Sequence, residues 1–167
     1  MDRETRDEFD RIRGNYIARW EQIERTINGF LATFFLVHVD RRFLLQLGLL
    51  ADLSNPARIR LFKQVLAAVG LDDEFKDLPK LLGDANSRRN TLAHSMGPFL
   101  VENASEPTVM YYSLSRGKER ETRIPVATLF DELDRLTELF TRLYGYHDRF
   151  KPPSDDQDQD DTGDRGT

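Results

Sequence analysis

The stretch from residue 9 to residue 34, FDRIRGNYIARWEQIERTINGFLATF, decides the fold of this chain. Its large apolar residues recur every three or four positions, at Phe9, Ile12, Tyr16, Trp20, Ile23, Ile27, Phe30 and Phe34. That period places one apolar stripe along an α-helix. Acidic residues near its start, among them Asp7 and Glu8, suit the positive end of a helix dipole. The sequence therefore predicts one long amphipathic helix from Asp2 to about Val37.

Two further helical segments are expected directly after it. An apolar segment covers residues 43–53 and ends at a Ser-Asn-Pro sequence. Asn55 as the cap and Pro56 at the first helical position are typical of a helix start. The third helix is therefore predicted over residues 56–69, and Gly70 is expected to close it.

The rest of the chain predicts two more helices with a small β-hairpin between them. A proline is tolerated in a first turn, so Pro79 allows a fourth helix that starts near Leu78 and stops before Gly97-Pro98. The remaining elements are a hairpin of residues 108–114 and 120–124 around a turn at 116–118, and a last helix over residues 125–146. The expected fold class is all-α, a bundle of about five helices with a β-hairpin insert before the last one.

Length, charge and cysteine content narrow the class of protein. The 167 residues suit one domain, and the absence of Cys excludes disulfides, thiolate metal sites and cysteine catalysis. Residues 151–167 carry two basic and six acidic groups, against 22 basic and 23 acidic groups in residues 1–150. We expect a helical domain over residues 1–150 and a disordered acidic tail over residues 151–167. With neither a membrane-spanning stretch nor a targeting signal, a cytoplasmic protein is expected.

One arginine breaks the pattern of the fourth helix. Its apolar series passes through Phe75, Leu78, Leu82, Ala85, position 89, Leu92 and Met96, and position 89 is an arginine. An Arg on a core-facing stripe must extend to water, pair with an acid or face a functional cleft. Arg89 is therefore either a functional residue or one partner of an ion pair with an acid on another helix.

Polar residues with chemical potential surround Arg89. Asn90 and His94 are four residues apart and share one helix face, which Ser87 joins from the turn before. Arg88 adds a second cation. Guanidinium groups bind phosphate oxygens in pairs, and a histidine exchanges protons near neutral pH. We interpret this cluster as a phosphate-binding site with a group for acid or base catalysis.

The segment Arg89-Asn90-Thr91-Leu92-Ala93-His94 resembles the R-x4-H motif of the HEPN superfamily, in the form with a polar residue directly after the arginine. HEPN domains are small α-helical bundles, and many are metal-independent ribonucleases of toxin–antitoxin and phage-defence systems. The resemblance implies Arg89 and His94 as catalytic residues, with Asn90, Arg88 and Ser87 in support. It further implies RNA as substrate, no cofactor or metal, and cleavage to 2′,3′-cyclic phosphate and 5′-hydroxyl ends.

The resemblance also implies partners. In HEPN ribonucleases the active site commonly forms across a homodimer, with one Arg and one His from each subunit, and an antitoxin protein is a further expected partner. The alternative is a HEPN-like domain without catalysis that serves as an interaction or regulatory module. In that alternative Arg89 pairs with a buried acid and His94 is an ordinary surface residue near a helix end.

Other basic residues and histidines have weaker signals. A second R-x4-H spacing runs from Arg142 to His147, but Leu143 replaces the polar residue and Gly145 weakens the helix, so we reject it. His38 is interpreted as part of a helix end or turn. The arginines at positions 41, 42, 58 and 60 are interpreted as solvated faces rather than as an RNA track.

Overall fold

The computed structural model describes residues 3–35, 45–50, 52–94, 99–101, 106–115 and 118–151. Its central element is the long first helix, α1, which spans Arg3–Phe35 and confirms the helix predicted around residues 9–34. Seven of the eight residues of its apolar stripe are buried, and Tyr16 and Trp20 have no exposed surface. Burying a large apolar side chain stabilises the fold by about 1.5–3 kcal/mol. This stripe therefore holds α1 against the later helices of the bundle.

Helix α2 (Leu45–Leu50) is a π-helical turn, and helix α3 spans Asn55–Ala68. The predicted cap was wrong by one residue. Ser54 stands at the N-cap in extended backbone, with φ −60° and ψ 148°, and Asn55 lies inside the helix. The side chain of Asn55 is bonded to Arg58 and Asn86 and so does not cap the helix.

The predicted end of α3 is confirmed. Gly70 has φ 69°, a left-handed conformation that glycine adopts without a steric penalty. This turn lets the N–H of Leu71 bond the carbonyl of Leu66 at 2.9 Å, and the N–H of Gly70 bond that of Ala67 at 3.1 Å. Two of the last carbonyls of α3 are thereby satisfied in a Schellman motif.

Helices α4 and α5 complete the bundle. Helix α4 spans Leu78–His94 and begins at the residue predicted from Pro79. Helix α5 spans Val126–Tyr144 and is shorter than the predicted 125–146, because the chain turns into a 3-10 helix at His147–Phe150. The apolar face of α5 is buried as a strict stripe of Leu129, Leu133, Leu136, Phe140 and Leu143.

A small antiparallel sheet precedes α5. Strands β2 (Thr108–Ser115) and β3 (Lys118–Pro125) form the predicted hairpin, with Ser115 opposite Lys118. Val109 and Ile124 face each other across it and are both buried, which anchors the hairpin to the bundle. The sequence did not predict a third strand, β1 (Phe99–Val101), which pairs with β2 and contacts α1.

One core of buried residues runs through the helices and the β2–β3 hairpin. Phe30, Phe62, Phe140 and Phe150 form an aromatic cluster at one end, with ring centroids 4.7–6.3 Å apart.

Within the described residues, no helix is both long and apolar enough to cross a bilayer. Residues 152–167 of the expected tail, and His38, Arg41 and Arg42, lie outside the described residues.

Candidate functional site

Residues 87–94 form the last two turns of α4, and their side chains differ in exposure. The polar residues predicted to share one face are all exposed: Ser87, Asn90 and His94. Arg88 and Arg89 are half-buried. On the core side, Ala85, Asn86 and Leu92 are buried. Arg89 therefore lies at the edge of the core, between the buried and the exposed faces.

The guanidinium of Arg89 has an amide neighbour. Its Nη1 donates a hydrogen bond to Oδ1 of Asn90 at 3.1 Å. Its Nε is buried and has no hydrogen-bond partner, and no carboxylate lies within 4.0 Å of it, in the described part of the chain. A positive charge that is half removed from water and not neutralised attracts anions more strongly than one in bulk solvent.

The neighbouring Arg88 has the acidic partner that the alternative interpretation assigned to Arg89. Its Nε lies 2.6 Å from Oε2 of Glu132 on α5, and the two side chains are 26% and 18% exposed. Burial raises the pKa of Glu132, Arg88 opposes that rise, and Asp84 adds to it. Arg88 thus joins α4 to α5, instead of standing open as the second phosphate-binding cation that the sequence predicted.

His94 is the last residue of α4 and is exposed. Beside it, Nη2 of Arg13 on α1 donates to the carbonyl oxygen of Ala93 at 3.2 Å. A cation suits the carbonyl end of a helix, where the dipole is negative. Arg13 was not among the predicted site residues, because nothing in its local sequence indicates which helix end it reaches.

A buried tyrosine fixes the other end of this contact between α1 and α4. The hydroxyl of Tyr16 donates to the carbonyl of Ala85 at 3.1 Å. Burial, and next the negative charge of Glu132, raise the pKa of Tyr16. Helices α1 and α4 are antiparallel here, since the contacts pair Arg13 with Ala93 and Tyr16 with Ala85. The motif helix is therefore held at two points along α1.

A second polar feature, centred on Arg58, lies inside the bundle. Arg58 is only 6% exposed, so its interpretation as part of a solvated face was wrong. Its Nη2 donates to the carbonyls of Leu50 and Leu53, at 2.8 and 3.1 Å. Its Nη1 bonds Oδ1 of Asn55 at 2.7 Å and lies 3.4 Å from a carboxylate oxygen of Glu24. Arg58 therefore ties α1, α2 and the turn before α3 together.

This buried network reaches the motif helix through one amide pair. Nδ2 of Asn55 donates to Oδ1 of Asn86 at 3.0 Å, and Asn86 lies on α4, one turn before Asn90. The sequence contained evidence that Arg58 is not an ordinary surface residue. Arg58 stands four residues before the buried Phe62, on the apolar stripe of its helix, just as Arg89 stands four residues after Ala85. The criterion that selected Arg89 applies equally to Arg58.

The rejected second copy of the motif has structural contacts. Arg142 lies 3.2 Å from Oε1 of Glu74 and its guanidinium carbon is 5.5 Å above the ring of Phe75. The ring of His147 is half-buried, 6.0 Å from that of Phe30. These two residues hold the 3-10 turn and the segment before α4 against the bundle.

A groove of about 250 Å³ lies between α5 and the segment before α4. It is lined by Glu74, Phe75, Asp77, Leu78, Arg135, Glu138, Leu139 and Arg142. Arg135 and Arg142 are paired there with Asp77 and Glu74. No residue from 87 to 94 lines this groove, so it is separate from the motif.

Among the residues described, no group of three or more His, Asp or Glu side chains is arranged to hold a metal ion. No protein-family model, curated protein or solved structure matches this chain. The resemblance to HEPN domains therefore depends on the motif of residues 89–94 and on its place at the end of a helix in a helical bundle.

Proposed function

We propose that the chain is a metal-independent endoribonuclease of the HEPN type, with Arg89 and His94 as its catalytic residues. The observation that supports this most is the state of Arg89. Its guanidinium is half-buried, bonded to Asn90, and free of an acidic partner in the described ranges. A half-buried guanidinium with no carboxylate partner attracts a phosphate group more strongly than one in bulk solvent.

The proposed reaction is an internal transesterification of RNA. The 2′-oxygen forms a bond to the adjacent phosphorus, while the bond from phosphorus to the 5′-oxygen of the next nucleotide breaks. One proton passes from the 2′-hydroxyl to a base, and one passes from an acid to the departing 5′-oxygen. The products are a 2′,3′-cyclic phosphate and a 5′-hydroxyl, and no water is consumed.

Each motif residue has a role in this scheme. Arg89 stabilises the negative charge that builds up on the non-bridging phosphate oxygens. His94 transfers protons, because a histidine side chain has a reference pKa of about 6.5 and takes part in either direction near neutrality. Asn90 orients Arg89 through the 3.1 Å bond. Arg88 supports the site by its ion pair with Glu132 and does not bind phosphate in this scheme. Ser87 is exposed on the same helix face as Asn90.

The scheme needs a second proton-transfer group, and the proposal assigns it to a second copy of the chain. His94 is exposed, and His147 is engaged with Phe30, so a single chain offers one free histidine in the described part. A two-fold axis near the end of α4 would bring two His94 side chains together and enclose Ser87 and Asn90. The active site is then composite, with one Arg89 and one His94 from each subunit.

The resemblance also provides the biological setting of the proposal. The protein would act on cytoplasmic RNA as the toxin or effector of a defence system, and an antitoxin protein would be its second partner. The competing function is a HEPN-like interaction or regulatory domain without catalysis. The exposed position of His94 fits that function too, so only a measurement of RNA cleavage distinguishes the ribonuclease from the interaction domain.

The test is incubation of the pure protein with mixed RNAs in EDTA, followed by analysis of the ends of the fragments. We expect 2′,3′-cyclic phosphate and 5′-hydroxyl ends from the wild type and none from His94→Ala. The matched control is His147→Ala, which should cleave as the wild type does. Absence of cleavage by the wild type would favour the interaction domain, and cleavage that stops in EDTA would contradict the metal-independent mechanism.

The assembly is tested separately by light scattering at micromolar concentration. We expect a dimer. Mixing wild-type subunits with an excess of His94→Ala subunits should lower the activity per wild-type subunit, because a mixed dimer carries only one of the two His94 side chains that the reaction needs. A monomer that still cleaves RNA would contradict the composite site.

A further inference from the structure

The arginines of this chain differ in whether a carboxylate neutralises their charge. Of the arginines with described side chains, seven lie within 4.0 Å of a carboxylate: Arg11, Arg19, Arg58, Arg88, Arg123, Arg135 and Arg142. Six have no such partner among the described residues: Arg6, Arg13, Arg25, Arg60, Arg89 and Arg149. Only Arg13 and Arg89 of these six are half-buried; the other four are exposed.

These two half-buried guanidiniums belong to one place. Arg13 bonds the carbonyl of Ala93, which lies four residues after Arg89 and therefore one turn along the same side of α4. One turn corresponds to about 5.4 Å along the helix axis. Ala93 directly precedes His94. Arg13 and Arg89 thus flank the end of α4 that carries His94, although they come from different helices.

The contact of Arg13 leaves most of its binding capacity unused. A guanidinium carries five N–H donors, and the hydrogen bond from Arg13 to Ala93 uses one of them, on an uncharged carbonyl. No carboxylate lies within 4.0 Å of its positive charge in the described part of the chain. Half-burial strengthens its attraction for an anion. A phosphodiester oxygen matches this donor set in both charge and geometry.

We propose that Arg13 is a further RNA-binding residue of this site, holding a backbone phosphate of single-stranded RNA beside the phosphate held by Arg89. This inference depends on the proposed function. It predicts that RNA crosses the junction of α1 and the end of α4. The competing role for Arg13 is that of a cation at the carbonyl end of α4, which would affect stability and leave RNA binding unchanged.

The test measures binding of a fluorescein-labelled single-stranded oligoribonucleotide by anisotropy, in EDTA and at several NaCl concentrations. The parent is the full chain with His94→Ala, which keeps the RNA intact. Arg13→Gln in this background should weaken binding at least fivefold. It should also lower the slope of log affinity against log salt by about 0.7, the value for one phosphate contact on a single strand. Arg25→Gln, an exposed unpaired arginine on the same helix, should leave both unchanged.

A second variant keeps the test decisive if Arg13→Gln unfolds. Arg13→Lys retains the charge and should keep the parent's salt slope, with weaker affinity because the planar fork is lost. Parent-like affinity in both variants, with or without a lower melting temperature, would overturn the inference and leave the ribonuclease proposal intact. If neither the parent nor the wild type binds RNA, and the wild type does not cleave it, the proposed function fails and this inference fails with it.

Discussion

Arg89 and Asn90 are neighbours on α4, and their side chains are hydrogen-bonded to each other at 3.1 Å, from Nη1 to Oδ1. Successive helix residues point about 100° apart. The bond therefore draws the guanidinium from the half-buried side of the helix toward the exposed face on which Asn90 and His94 lie. The polar residue directly after the arginine thus has a physical role, which is to aim the cation at the histidine's side of the helix.

This role predicts how Asn90 and Arg89 respond to substitution. Asn90→Ala should reduce RNA cleavage about 10- to 100-fold, because a misplaced catalytic group is costly even when it is present. Its melting temperature should stay near that of the wild type, since Asn90 is exposed. In a double-mutant cycle with Arg89→Lys, the two losses should be smaller together than their product, because both act through one contact. Independent, multiplying effects would show that Asn90 acts on RNA directly.

Arg58 predicts the opposite pattern, a loss of stability without a direct part in chemistry. Arg58→Ala removes four contacts and leaves Glu24 and two carbonyls without their partner. Breaking a buried pair typically costs about 3–5 kcal/mol. The free energy of unfolding, measured in urea, should fall by about that amount. Arg60→Ala, two residues away and exposed, is the matched control and should change it by less than about 0.5 kcal/mol. Equal stability of the two variants would contradict the structural role.

Most of the fold follows from the period of its apolar residues. The apolar stripes of α1 and α5 are strict. Pro79 and Gly70 place the start of α4 and the end of α3 to within about a residue. Strand β1 escaped prediction because three residues are too few to show a period. The cap of α3 was misplaced because both Ser54 and Asn55 are cap-forming residues, and only the bonds of the Asn55 side chain to Arg58 and Asn86 separate them.

The candidate site was predictable only in part. The sequence could show that position 89 breaks an apolar stripe, and that Asn90 and His94 share a face. It could not show which of two adjacent arginines meets an acid, because Glu132 lies more than forty positions away and approaches only when α5 packs on α4. Contacts between distant helices, such as that of Arg13 with Ala93, are set by the tertiary structure alone.

The pair of Arg88 and Glu132 predicts a pH dependence of stability. The pKa of Glu132 is raised in the folded protein, so folding favours its protonated form. The stability that this group contributes is fully present below its ordinary pKa of 4.5 and is lost as pH rises through the raised value. Glu132→Gln does not titrate. The difference in unfolding free energy, wild type minus variant, should therefore fall as pH rises from about 4 to 7.

Arg88 supplies the control for that experiment. It lowers the pKa of Glu132, against the effect of burial. Replacing it by Met should raise that pKa further and move the loss of stability to higher pH. Denaturant titrations of the three proteins over the same pH range measure both effects. Parallel stability curves for wild type and Glu132→Gln would contradict the assignment.

The two copies of the R-x4-H spacing give the sharpest separation of function from structure. His94 is exposed and packs on no described aromatic ring, so His94→Ala should leave the melting temperature nearly unchanged. Loss of an acid or base typically costs about 10²–10⁴ in rate, and we expect cleavage to fall by that factor. His147 lies against the rings of Phe30 and Tyr144, so His147→Ala should lower the melting temperature and leave cleavage intact. Arg142→Ala, which breaks an exposed pair with Glu74, should cost about 0.2–1 kcal/mol and no activity. Normal cleavage by His94→Ala, or loss of cleavage in a folded His147→Ala, would reverse the assignment of the two copies.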